Sequence, residues 1–167
     1  KSSMAGGPIG KTIPLEKIKS ISQRLGTSRF NVIATAINIL MAHYTQKETI
    51  SLGTIVSTRP YDMGQTMGVF LNTILVQTKC NWDLSIKDCA AQVQEAVLDA
   101  QEFAIPYEDL VKIGRSAQAD DLVQVALVYE PIHQKNYNFE VNRSFAHAGT
   151  AKFDLLLEFE EQADTGI

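Results

Sequence analysis

Two runs of β-branched and apolar residues, Ile50 to Val56 and Ile74 to Val76, bracket a segment rich in Gly, Pro and small polar residues. This pattern most constrains the fold, because it demands two strands joined by an irregular crossing segment. The run from Glu48 to Val56 is almost unbroken in its apolar character, which predicts a strand covered on both faces. The second strand runs from Thr73 to Thr78, and the segment between them is the expected working surface.

Helical periodicity flanks this centre. Leu15, Ile18, Ile21 and Leu25 fall on one face of a helix that Gly26 closes. Ser28 then caps a helix in which Phe30, Ile33, Ile37, Leu40 and Tyr44 recur at spacings of three and four, while Val32, Ala36, Ile39 and Ala42 form a second apolar side. Such a helix is expected between a sheet and another layer. Ser85 to Asp88 has the form of a capping box, opening a helix that carries Ile86, Ala90, Val93, Val97 and Ala100 on one face and frays near Phe103. Pro106 starts a short helix to about Ile113, followed by a polar loop from Gly114 to Asp121. Strands are expected at Leu122 to Tyr129, at the edge position Tyr137 to Val141, and at Ala151 to Phe159. The alternation predicts an α/β (α+β) domain with a mixed β-sheet packed by helices.

The 167 residues suffice for one core. Residues 1–11 read as a flexible lead-in and 12–167 as the folded unit. A net charge of -4 and a pI near 5.3, with no basic stripe, argue against nucleic acid as the partner. The apolar stretch Phe30 to Tyr44 is too short and too often interrupted to cross a membrane, and the first residues lack the apolar core of a signal peptide. Cys80 and Cys89 have no nearby His and are expected as free thiols of a cytoplasmic protein.

No catalytic set emerges from the residues alone. His43 falls in the buried helix pattern and reads as structural, while His133 and His147 lack metal-binding spacing and read as surface residues. Ser57 has no nucleophile elbow around it. Glu158, Glu160 and Glu161 read as a solvated acidic run, and Gly6 to Lys11 lacks the phosphate-loop spacing.

Several blocks together nevertheless resemble one family. Gly53 to Arg59 (GTIVSTR) followed by Met67 to Thr73 (MGVFLNT) is similar to the (I/V)GxF(V/L)NT block of non-ribosomal peptide synthetase condensation domains, with Gln77 where that family usually has Arg. Ile105 to Leu110 (IPYEDL) resembles the PFExL element, with Glu102-Phe103-Ala104 in place of the preceding His-Gln-Asp. Leu122 to Leu127 resembles the LFQVMF strand, and Lys152 to Leu155 the KFDL element. Before that strand Arg115 remains, while Asp120 and Asp121 replace Asn and Pro. The likeness runs from about Thr12 to Gln162.

The resemblance implies a chloramphenicol-acetyltransferase-like half-domain, the C-terminal half of a condensation domain, without the HHxxxDG motif of the catalytic N-terminal half. It implies amide formation between a donor acyl or peptidyl thioester and an acceptor amino acid, both held on 4'-phosphopantetheine arms of carrier proteins. No cofactor is then bound directly, and the partners are the N-terminal half, peptidyl or acyl carrier proteins and an adjacent adenylation domain. No catalytic residue is assigned; Asn72, Ser57, Thr73 and Gly68 are the expected substrate-side residues, with Asn72 either contacting acceptor or pantetheine or capping its own strand. Gly68 is expected at a close backbone approach, and Phe70 in the core. Two alternatives stand beside this reading: an epimerisation-domain fragment, which Asn72-Thr73 disfavours, and a non-catalytic carrier-docking domain. A lone half is expected to be inactive and to self-associate through the apolar surface its partner covers.

Overall fold

The structure, a computed structural model, describes residues 9–116, 123–131 and 153–161. Helices α1 (Leu15–Leu25) and α2 (Arg29–Thr45) lead into strands β1 (Thr49–Ser57) and β2 (Leu71–Lys79). Helices α3 (Ile86–Glu102) and α4 (Tyr107–Ser116) follow, and then strands β3 (Val125–Glu130) and β4 (Leu155–Glu160). The sheet has the order β2-β1-β3-β4, with β1 antiparallel to β2 and the other neighbours parallel. This is the mixed sheet that the alternation of patterns predicts. The segment between β1 and β2 is not a crossing, however: the chain doubles back, and the strands pair from Thr49↔Lys79 to Ser57↔Leu71.

The helix ends form where local chemistry satisfies their free backbone groups. Ser28 Oγ accepts the Asn31 N–H at 3.1 Å, and Ser85 Oγ accepts the Asp88 N–H at 3.2 Å while donating to Asp88 Oδ2 at 2.7 Å. Gly26 closes α1 in the left-handed region, φ 65°. Helix α4 extends past Ile113 to Ser116, so Gly114 to Ser116, expected in a loop, are helical.

Directly paired residues share a sheet face. Leu52, Val76, Ile74 and Leu127 join Ile33, Ile37, Val93 and Val97 in the core between sheet and helices. Thr54, buried on the same face, donates its hydroxyl to the Leu127 carbonyl at 2.8 Å. On the other face Ile55 remains 44% exposed. Among the described residues that face of β1 is fully buried at Gly53, over which Val123 packs. A Cβ at Gly53 would stand 2.3 Å from Val123 Cγ1. Gly53→Ala is expected to destabilise the chain by about 1 to 3 kcal/mol through overpacking, and adding Val123→Ala should recover most of that loss in chemical denaturation.

Three expectations about burial change. Helix α2 does not present two apolar sides inward: Ala36, Leu40 and Tyr44 are exposed, and the buried side includes Asn31, Thr35 and Asn38. His43 is exposed near the end of α2, edge-on to Tyr44 and Trp82, because its position follows that outer side. Glu161 is not a solvated tail residue. Its side chain is 2% exposed, it meets Arg29 Nε at 3.0 Å, and it accepts the Tyr129 hydroxyl. Glu158 is exposed and Glu160 half-buried.

His133, His147, Asp120, Asp121, Leu122, Ala151, Lys152, the strand expected at Tyr137 to Val141 and most of the lead-in lie outside the described residues, as does the Arg115 side chain. Among the described residues no helix is long and apolar enough to cross a membrane.

Candidate functional site

Where the β1–β2 hairpin opens, the connecting loop is wound around one side chain. Arg59 Nη1 donates to the Met63 carbonyl at 2.9 Å and the Thr66 carbonyl at 2.6 Å, and Nη2 donates to the Gly68 carbonyl at 3.4 Å. Its guanidinium carbon lies 4.2 Å from the centre of the Phe70 ring. A planar fork with five donors suits this task, since it reaches several carbonyls while its face rests on an aromatic ring. The base of the loop is tied by the Thr58 N–H to the Phe70 carbonyl at 2.9 Å, and its middle forms a 3-10 turn at Tyr61–Met63. Phe70 is thus half-buried under a cation and does not enter the core.

This arrangement turns the apolar side chains of the loop outward. Tyr61, Val69 and Leu71 are exposed, and Met67 is 96% exposed. Gly68 has φ 157°, and a Cβ there would meet Phe70 Cε2 at 3.2 Å, so the backbone passes close to the ring as expected. The loop is a preorganised apolar tip.

Asn72 lies one residue into β2, and both ends of its amide reach another segment. Nδ2 donates to the Ile105 carbonyl at 2.8 Å, and Oδ1 accepts the Tyr107 N–H at 3.1 Å. These bonds seat the α3–α4 turn on the hairpin. Asn72 therefore does not cap its own strand in the way an isolated Asn at a strand end would. One donor and one lone pair of the amide remain for another partner.

An open depression of about 520 Å³ lies beside this junction, bounded by Ile55, Val56, Ser57 and Thr58 on the hairpin and by Gln101 and Ala104 at the end of α3. Ser57 is exposed there, and its Oγ accepts the Arg59 N–H at 3.3 Å. Thr73 pairs with Ile55, which puts it on the sheet face that Ile55 and Ser57 share, and it is half-buried. Ser57 and Asn72 are thus brought to one end of the hairpin, Thr73 lies on the face that Ser57 and Ile55 share, and Gly68 belongs to the loop above. Gln77 makes a neutral bond, Nε2 to Ser51 Oγ at 3.3 Å, where an Arg would carry charge.

Arg59 closes the GTIVSTR block, but motif reading gives it no role; its work as the clamp of the loop shows only in the path of the backbone. Nothing near Ser57 among the described residues equips it as a nucleophile, since His43 sits at the far end of α2 beside Trp82. Burial first, and Cys89 second, push the Cys80 thiol above its ordinary pKa, which suits an inert thiol. No group of three or more His, Cys, Asp or Glu among the described residues is placed to hold a metal. Among the described residues the site offers hydroxyls, amides and apolar surface, and no acid–base pair.

Residues 12–166 match the family described as Condensation domain. The chain is 30% identical over 164 residues to tyrocidine synthase 3 of Brevibacillus parabrevis, covering 92% of this chain and 2% of that protein. Among solved structures it resembles the complex of the X-domain and OxyB from teicoplanin biosynthesis, with TM-score 0.67 and 19% identity over 90% of this chain and 35% of that one. It also resembles the first condensation domain of the calcium-dependent antibiotic synthetase in complex with substrate analogue 3a, with TM-score 0.61 and 15% identity over 81% of this chain and 31% of that one. These folds share the chloramphenicol-acetyltransferase-like architecture. The chain spans a few per cent of the curated relatives and about a third of the solved chains it matches.

Proposed function

Because the chain belongs to the condensation-domain family, we propose that it is the substrate-positioning half of an amide-forming domain in a non-ribosomal peptide synthetase. In this reading the acceptor amine bonds to the donor thioester carbon, and the pantetheine sulfur leaves as its thiol. The proton acceptor comes from the N-terminal half of the domain. This half aligns the two arms and excludes water, which in favourable cases lowers a barrier by about 7 to 11 kcal/mol.

The bridge made by Asn72 carries the proposal. It joins two of the blocks on which the family resemblance rests, GVFLNT and IPYEDL, by bonds to Ile105 and Tyr107. The depression beside it offers hydroxyls and an amide from Ser57, Thr58 and Gln101, suited to the amides of a carrier's arm, and apolar contact from Ile55, Val56 and Ala104, suited to its methylenes. The exposed apolar tip above, Tyr61 to Leu71, is the surface by which the loop meets the other half, and through which an isolated half self-associates. Carrier proteins, with an adenylation domain to load them, are the remaining partners.

Asn72→Ala in the intact domain is expected to lower single-turnover amide formation on loaded carriers by about 10- to 100-fold, as a small misplacement does. The same change should cost about 1 to 2 kcal/mol of stability for the two lost bonds. An unchanged rate together with unchanged stability removes the positioning role. Epimerised product without amide would identify an isomerase, and carrier binding without turnover a docking domain.

A further inference from the structure

A second cavity, of about 180 Å³, lies at the opposite end of β2, where the chain leaves the sheet to enter α3. Thr78 at this end is six residues from Asn72, or about 20 Å at strand spacing, so the cavity is distinct from the depression above. Its wall is mainly apolar, built from Ile39, Trp82, Leu84, Val93 and the two cysteines.

One deeply buried amide lines it. Asn38 on α2 is 2% exposed; its Nδ2 donates to Thr78 Oγ1 at 3.5 Å, and its Oδ1 accepts no hydrogen bond among the described residues. Two neighbouring donors are engaged elsewhere. Thr35 donates to the Asn31 carbonyl at 2.6 Å, and the Cys80 thiol donates to the Asn38 backbone carbonyl at 3.7 Å. A buried acceptor without a donor carries the full cost of its desolvation.

We propose that this cavity is a binding site for a small neutral alcohol, a hydroxyl group on a compact hydrocarbon body the size of one six-membered ring. The volume sets the body, because an apolar cavity of about 150 Å³ already admits benzene. Asn38 sets the head group. A hydroxyl both donates and accepts, so it serves the amide whichever end faces the cavity. Charge is disfavoured, since the cation at the rim, Lys79, is exposed and pairs loosely with Glu48 at 4.0 Å. Water satisfies the amide but leaves most of the apolar wall unserved, given its share of about 30 Å³. The proposal is independent of the role assigned to the hairpin.

Trp82 lines the cavity and is the only tryptophan in the chain, so its emission reports occupancy. Titrating the chain with cyclohexanol is expected to give a saturable change in that emission. Asn38→Leu should weaken cyclohexanol binding by about tenfold, the worth of one hydrogen bond, without weakening methylcyclohexane, which has the same shape and no hydroxyl. Cys89→Phe, which fills the cavity from α3, should abolish binding of both. Equal cyclohexanol affinity in the wild type and Asn38→Leu overturns the proposal, as does the absence of any saturable response. Should Asn38→Leu fail to fold, cyclohexanol binding that survives Cys89→Phe overturns it equally.

Discussion

Arg29→Met is expected to destabilise the chain by about 3 kcal/mol, because it strips a cation from a carboxylate taken out of water. The Glu161 side chain is 2% exposed while that of Arg29 is 34% exposed, which places the loss at the low end of the range for broken buried pairs. The double variant Arg29→Met/Glu161→Leu is expected to regain most of the loss, since replacing both charges removes the desolvation cost along with the attraction. Chemical denaturation of the four proteins in that cycle measures it; a single variant as stable as the wild type would show that the pair is not holding the end of β4 against α2. The same cluster shapes the alkaline limb. Burial first, and then the bond to Glu161 and its charge, push the Tyr129 phenol upward against the opposing effect of Arg29. The folded value exceeds the unfolded one, so this contribution is complete below the ordinary tyrosine value of about 10 and is lost as pH rises further. Tyr129→Phe should flatten the decline in stability above about pH 10.

The parts of this fold that were legible in the sequence are those whose causes lie within a few residues. Ser28 and Ser85 cap helices because the N–H they accept is three positions away, and Gly26 ends α1 by its own backbone conformation. Glu161 was not legible, since its partners Arg29 and Tyr129 belong to other elements and a run of acidic residues near a chain end looks solvated. The same holds for α2. Counting apolar positions suggests two inward sides, yet Asn38 and Thr35 are buried and Leu40 and Tyr44 exposed, because Thr78 and the Asn31 carbonyl are there to receive the polar groups. At the site, the blocks containing Asn72 and Ile105 to Tyr107 both stood out by resemblance, whereas the bridge between them did not: Ile105 and Tyr107 contribute only backbone atoms, which no residue type announces. The role of Arg59 was hidden for the same reason, its acceptors being three carbonyls placed by the path of the loop.

Arg59→Ala is expected to lower the amide-forming rate of the intact domain about 100-fold while changing global stability by less than about 1 kcal/mol. The two effects separate because Arg59 and the carbonyls it holds lie in an exposed loop, outside the core that α2, α3 and the sheet enclose. Without the guanidinium, the carbonyls of Met63, Thr66 and Gly68 have no common donor, and the apolar tip from Tyr61 to Leu71 no longer has one shape to offer its neighbour. Lysine is a poor substitute, since a single ammonium on a flexible stem lacks the planar fork and stacks less well on Phe70; Arg59→Lys should therefore fall well below the wild type. Three readouts distinguish the cases: single-turnover condensation on loaded carriers, denaturation midpoint, and the rate of proteolytic cutting between Thr58 and Phe70. Faster cutting with a lost rate and an intact fold is the expected pattern. Faster cutting with an unchanged rate would leave Arg59 as the clamp of its loop but remove that loop from the reaction, and the positioning role would then rest on Asn72 and the turn it holds.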